Sequence, residues 1–418
     1  MSWLASRFGI GMLTLGAIGM AALAACADTE ESADAPHDVP EGGTVPNVDA
    51  SPSSDDAGTD ASGDAVADAD AAVRTCSKEG FCHTVLPPKQ SLRGVWPDGT
   101  GVAWAVTEEG NVLRFDGTTW KVHVSLSLPL RAIWGSGPTD IWVGTANGIF
   151  HGTGATSAAL TFTAVETPEP ITPITSIYGT GPNDVWAVGG ELSFPLKGRV
   201  LHYTGPIDPD AGGGKGAPSP WALESITKDP YQWERIFGSP ASGVWIAGRR
   251  NNPQQFWFDV ALVHRAAGGT TWDDVPLPVD PNVDNPPVGA LENLWDATIS
   301  ADGQSVFVLG RTHSATPAYA RGTLGIGGKW FWTFERDGFF GEPTSNAIAA
   351  ASSSDVFIVG DYGRLKHQSG TTWKQSLITV DKYPVIDPFY AVGGTGNDMW
   401  FVGDDIALHR DPAKAQQP

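Results

Sequence analysis

The stretch "LRAIWGSGPTDIWVGTANGIFHG", residues 130–152, decides the fold, because the chain repeats its pattern. "ITSIYGTGPNDVWAVGG" occupies residues 174–190 and "FYAVGGTGNDMWFVGDD" residues 389–405. Each copy runs from a short β-rich segment through a glycine turn to an Asp, with an aromatic residue two positions later. Aligned on that aromatic, the pattern recurs at Trp104, Trp142, Trp186, Trp245, Phe307, Phe357 and Trp400, at intervals of 38, 44, 59, 62, 50 and 43 residues. Repeats of about 40–50 residues, each with four short β runs divided by Gly, Pro, Asn and Asp, predict four-stranded propeller blades. In the second unit, strand A spans 130–134, strand B 141–144 and strand C 148–152, while Trp120 opens strand D of the first unit.

The turn chemistry carries local expectations. Gly135 and Gly137 are expected to supply positive φ between strands A and B. Asp140, Asp184, Asp355 and Asp398 are expected to fold their carboxylates onto turn amides. The aromatic that follows offers broad packing against the next blade. The last unit, residues 389–410, has only three strands, whereas "FCHTVLPPKQSLRGVW" (81–96) matches the D-to-A stretch "WKVHVSLSLPLRAIW" (120–134). The N-terminal segment is therefore expected to complete the last blade, which removes an exposed edge. The fold class predicted is all-β: a seven-bladed propeller of four-stranded antiparallel blades over residues 75–412, with 413–418 as a disordered tail.

Seven repeats with the form G-S-G-x-x-D-V-W-x-V-G resemble a family of secreted bacterial propeller proteins over about 330 residues. The resemblance implies architecture and no catalytic residues. The chain lacks the sialidase S-x-D-x-G-x-x-W box, a WD dipeptide in the usual place and a consistent kelch double glycine.

Upstream of the repeats, Arg7 and the apolar run at 8–22 form a signal-peptide pattern. It ends in Leu23-Ala24-Ala25-Cys26, which resembles a bacterial lipobox. That resemblance implies a signal peptide over 1–25, lipidation of Cys26, and an outer-membrane lipid anchor in the cell envelope, with display at the surface open. Residues 27–73 hold thirteen Asp or Glu, no Lys or Arg and no aromatic residue. Such a composition cannot offset chain entropy by burial, so residues 26–74 are expected to be a disordered tether. Of the net charge of −21, −9 remains outside the tether and leader, which disfavours nucleic acid as a partner. The two other cysteines, Cys76 and Cys82, are expected to pair as a disulfide in an oxidising compartment.

Tests for chemistry return architecture. His151, His202, His264, His367 and His409 share one strand C position, but equivalent positions on separate blades lie too far apart to converge on a metal. The Asp repeats likewise stand too far apart for acid–base pairs. No H-E-x-x-H, G-x-S-x-G or P-loop occurs. The fragment Asp280-Pro-Asn282-Val-Asp284 mimics the start of a calcium loop, yet its prolines and Leu291 at the twelfth position fit an ordinary loop. No cofactor is expected, and Ca²⁺ is the one ion these oxygens suggest.

The broken rhythm is more informative. From the strand B aromatic to the basic residue of strand C is 9 or 10 residues in blades 1, 2, 6 and 7, but 16, 19 and 14 in blades 3, 4 and 5. The extra residues, 190–198, 249–259 and 311–320, fall in B–C connections, on the face shared with the long D–A connection at 273–290. Insertions gathered on one face of a repeat array mark a binding surface. Phe194, Arg249, Arg250, Phe256, Trp257, Phe258 and Tyr319 are the candidate anchors, since exposed aromatics beside Arg suit protein partners and carbohydrate rings. The chain thus reads as a monomeric binding module for a protein or glycan. The alternative is a polysaccharide-active enzyme at the channel mouth, for which Asp361, Asp404 and Asp405 are the nearest carboxylates.

Overall fold

The structure is a computed structural model. It describes residues 75–169, 172–191, 196–206, 219–226, 231–252, 257–338, 341–380 and 383–415, with the backbone alone for Asn252 and Tyr383. All of these belong to one compact unit. The leader, Cys26 and the acidic segment lie outside the described residues.

Seven four-stranded antiparallel sheets and one two-stranded hairpin make up the unit. In blade 2 the order is strand A Leu130–Gly137, B Asp140–Thr145, C Gly148–Thr153 and D Thr161–Val165. The A strands of the other blades are Leu92–Pro97, Ile174–Gly181, Tyr231–Ser239, Leu291–Ile299, Ser345–Ser352 and Phe389–Thr395. Each A strand packs on its neighbours, and the last packs on the first, so the blades close into a ring. A central channel of about 520 Å³ is lined by residues from all seven A strands.

The ring is shut by pairing of head and tail. Strand Phe81–His83 pairs with strand C of blade 7, Ala407–Arg410, in the register Phe81↔Arg410, Cys82↔His409 and His83↔Leu408. Phe81, 1% exposed, meets Phe401 edge-on at 5.2 Å. Gly80 sits at φ 82° with the Asp411 carbonyl where a Cβ would go, so only glycine enters this strand from that turn. Cys76 and Cys82 form the expected disulfide. At the other end, Pro412–Lys414 forms a 3₁₀ turn capped by the Asp411 side chain, which accepts from the Ala413 amide, and residues 416–418 lie outside the described residues.

The turn expectations need correction. Gly135 and Gly137 do not adopt positive φ, although Gly243 and Gly396 in other A–B turns do. Gly135 is small because a Cβ there would lie 2.6 Å from the Trp96 ring of the previous blade, and at Gly179 the Trp134 ring would be 2.5 Å away. The repeated Asp carboxylates are likewise not spent on turn amides. Asp184 binds His202 at 2.6 Å, Asp355 binds His367 at 2.6 Å, Asp398 binds His409 at 3.0 Å, and Asp140 binds His151. Each imidazole stacks on the strand B aromatic directly opposite it. Ring centroids are 3.7 Å apart for Trp142–His151, 3.4 Å for Trp186–His202 and 4.3 Å for Phe357–His367. Blade 4 keeps the stack, Trp245–His264 at 3.8 Å, but His264 bonds the Ser242 carbonyl at 2.7 Å. The histidines are thus architectural, each pinning an A–B turn to strand C of its own blade.

These partners set a pH dependence of opposite sign in neighbouring blades. Burial disfavours the charged form of His202, but hydrogen bonds to Asp184 and Glu224 outweigh it and raise its pKa. The His202 contribution is therefore complete below the unfolded value of about 6.5 and is lost as pH rises through the folded value. Burial lowers the pKa of His264, with only partial compensation from the Ser242 carbonyl and Asp273. The folded state then resists protonation there, and stability is lost as pH falls below the unfolded value. Thermal melts at pH 5 and pH 8 should show His202→Gln costing more at pH 5 and His264→Gln costing more at pH 8. Equal costs at both pH values would refute the assignment.

Candidate functional site

The blades with long B–C spacings do project on one face, but as strand rather than loop. Their B strands are Asp184–Glu191, Gly243–Asn252 and Ser305–Thr312, with 8, 10 and 8 residues. In blades 1, 2, 6 and 7 the B strands have only 5 or 6. In blade 5, strand C is Pro317–Leu324, so the connection shrinks to residues 313–316. Tyr319 is consequently a correction. It pairs with Leu309 inside the blade, is 1% exposed, bonds Glu335 through its hydroxyl and receives the Trp373 Nε1–H at 3.0 Å. Burial, reinforced by Glu335, pushes its phenol pKa up. Tyr319 is core and offers nothing to a partner.

Arg249, Arg250, Trp257 and Phe258 sit on the hairpin of blade 4, whose strand C is Trp257–Arg265. Arg249 is held by Glu234 at 2.5 Å. Arg250 is exposed, opposite Asp259 in register. Trp257 leans on His313 with ring centroids 4.3 Å apart, and Phe258 is half-buried opposite Asn251. Phe194 and Phe256 lie outside the described residues.

Beside this hairpin runs a groove of about 340 Å³. Arg250, Asp259 and Val260 form one wall, and Pro276–Val279, Pro286, Pro287, Ala290 and Leu291 form the other. Its proline-rich wall is pinned by the calcium-like fragment. Asp280 is 1% exposed, accepts from Arg336 Nε at 2.7 Å and from the Asn282 amide at 2.9 Å. Burial would raise its pKa, but Arg336 and Asn282 prevail and hold it low. The carboxylate thus serves the loop as an anchor, and among the described residues no group of three or more His, Cys, Asp or Glu is placed to hold a metal ion.

Sequence reading missed the centre of the same face. All seven A strands carry a β-bulge opposite the third residue after the strand B aromatic. The bulged residues are Arg93, Arg131, Thr175, Glu234, Trp295, Asn346 and Tyr390. A bulge re-aims one side chain and disrupts local pairing. In five blades the residue opposite is the last glycine of the V-G motif, and at Gly189 and Gly403 a Cβ would collide with the Pro173 and Pro388 carbonyls, at 1.9 and 1.8 Å.

Five of these bulged residues, Arg93, Arg131, Thr175, Asn346 and Tyr390, line the channel mouth together with Arg235, around a chamber of about 240 Å³. Arg93 lies over the Tyr390 ring, 4.0 Å from its centroid. Glu108 approaches Arg93 at 3.3 Å and Arg131 at 3.5 Å, and Asp296 binds Arg235 at 2.7 Å. Burial and Asp404 push the Tyr390 phenol up. The carboxylates proposed for the enzymatic alternative act as acceptors around this rim. Asp361 receives Asn346 Nδ2 at 2.9 Å, Asp404 receives the Tyr390 hydroxyl at 2.9 Å, and Asp405 receives the Gln90 amide at 2.6 Å. One signal was present in the sequence: "LRGVW" at 92–96 and "LRAIW" at 130–134 place an Arg at the same step of strand A.

No family model and no curated protein matches the chain. Solved structures do. A streptogramin B lyase aligns with a TM-score of 0.54 at 13% identity, covering 78% of this chain and 95% of its own. YCF48 bound to D1 peptide aligns with a TM-score of 0.54 at 13% identity, covering 80% and 98%. YCF48 from Cyanidioschyzon merolae gives 0.56 at 13% identity, covering 80% and 99%. At such identity the likeness concerns the fold alone. Together with the seven closed sheets, it establishes the chain as a seven-bladed β-propeller of four-stranded antiparallel blades.

Proposed function

We propose that the protein is an envelope-anchored binding module, tethered through lipidated Cys26, that grips a partner protein on the face carrying the long hairpins of blades 3–5. The observation that supports this most is the groove between the blade 4 hairpin and the proline-rich connection. A wall of prolines pays little ordering entropy on binding. Arg250 is exposed at its edge, and Trp257 and Phe258 are only half-buried. Arg and aromatic side chains in such settings carry most of the energy of protein interfaces. YCF48, similar in fold alone, has been solved with a peptide bound.

The test is cross-linking in intact cells, comparing the native protein with a variant in which residues 251–258 are replaced by a two-residue turn, and with Arg250→Glu. Both variants should melt close to the native protein, and the yield of the captured partner should fall by about tenfold or more. An undiminished yield from a folded hairpin variant would overturn the proposal.

A further inference from the structure

We infer that strand D of blade 5 is a dimerisation edge, which pairs antiparallel with the same strand of a second copy. This strand, Trp330–Arg336, closes its sheet on the outside and pairs with no further strand of the described residues. Native proteins blunt such edges with short strands, charges or bulges. The outer strands of blades 3, 4, 6 and 7 are only two to four residues long. That of blade 1 carries Lys121 and is bulged at His123, and that of blade 2 has five residues. Blade 5 departs from this rule. Its outer strand has seven residues, pairs with strand C without a bulge, and is uncharged from Trp330 to Phe334.

The two rows of side chains on this strand differ. Trp330, Trp332 and Phe334 pack inward, and Trp330 meets Trp245 of blade 4 edge-on at 5.0 Å. Phe331 and Thr333 face solvent, Phe331 at 62% exposure. Lys329, extended and exposed, continues the solvent row at one end, and Glu335 closes it at the other.

The order of these residues selects the occupant. A two-fold axis normal to the sheet keeps each row on its own face, so residues of like parity oppose one another. Centred on Trp332, it sets Lys329 opposite Glu335, Phe331 opposite Thr333 and Trp330 opposite Phe334, each twice. Opposite charges, an aromatic with a β-branched residue, and two aromatics are the cross-strand pairs that stabilise antiparallel sheets. Centred on Thr333 instead, the axis would put Phe331 against the Glu335 carboxylate. Lys329 would then oppose Asp337, which is 4% exposed and already held by Arg364 and Lys366. "KWFWTFE" (329–335) is thus complementary to itself in one register, and a contact of this kind closes at two copies. Seven paired residues a side make a small interface, so half-association is expected on the order of 10 µM, with monomer at about 1 µM. The edge belongs to a different blade from the hairpin groove and needs no reading of it.

Sedimentation of the full chain tests this, in a Cys26→Ser background that leaves no unpaired thiol. Between about 1 and 100 µM the chain should pass from monomer to dimer and stop there. Lys329→Glu sets carboxylates together at both ends of the contact and should raise the midpoint by about tenfold. Oxidising an equal mixture of Phe331→Cys and Thr333→Cys chains should trap a dimer, because these two positions face each other. Either chain alone should trap several-fold less, since its two sulfurs would sit diagonally, beyond disulfide reach. A chain that stays monomeric to about 100 µM, an unchanged midpoint in Lys329→Glu, or equal trapping in all three samples would overturn the assignment. A monomeric chain whose Phe331→Lys variant loses the partner captured in intact cells would give the edge to that partner instead. Replacement of residues 251–258 should leave dimerisation unchanged, so this reading and the hairpin groove fail separately.

Discussion

A chain that starts at Val85 is expected to melt about 10 °C below the native protein and to associate as its concentration rises. Removing residues before Val85 strips Phe81 from its place against Phe401 and leaves strand Ala407–Arg410 as an open edge. Deleting a buried Phe costs about 3–5 kcal/mol, and the lost disulfide and strand pairing add a few more. With an unfolding entropy of about 2 cal/mol/K per residue, such a loss displaces the midpoint of a domain this size by about 10 °C. The exposed edge then recruits other strands. Appending residues 77–84 after Lys414 through a short Gly-Ser turn should restore the monomer and most of the melting temperature, because the strand and Phe81 return although the disulfide does not. Calorimetry and sedimentation would read the two effects, and a truncated chain that melts like the native one would refute closure by this strand.

Trp186→Ala is the second large effect, expected to cost about 3–5 kcal/mol. Trp186 is 2% exposed, stacked on His202 at 3.4 Å and met edge-on by Trp272 of the next blade at 5.6 Å. Its loss removes core volume and the platform that orients His202 toward Asp184 and Glu224. Trp186→Phe should recover part of the cost, as blades 5 and 6 already use Phe307 and Phe357 at this position. Phe331→Ala, at an exposed strand D residue, should change stability by about 0.5 kcal/mol or less. Denaturant unfolding of the three variants checks the ranking; a Trp186→Ala cost no larger than that of Phe331→Ala would remove the strand B aromatic from the core.

The architecture was legible because it is periodic. The spacing from Trp104 to Trp400 counts the blades, and the match between 81–96 and 120–134 announces the closing strand. Spacing cannot say what the additional residues do. Between Phe307 and Arg321 they lengthen two paired strands, which carries Tyr319 into the blade instead of out to solvent. Asp140 and its equivalents had two available partners, turn amides or a histidine across the sheet. Only the register that sets Trp142 opposite His151 decides between them. The channel mouth was least legible, since a bulge shifts the alternation by one residue and Arg93 then faces where a regular strand would not send it.

The disulfide at the start of the closing strand has a mechanical consequence. A pull applied at Thr75 does not peel the chain from its end, because the covalent bond from Cys76 to Cys82 bypasses the loop between them. The load arrives at the middle residue of the strand, opposite His409, and Phe81 is shielded from it. Reducing conditions would reroute the same force through Phe81 first, so the grip of this ring under tension should depend on the oxidation state of two sulfur atoms.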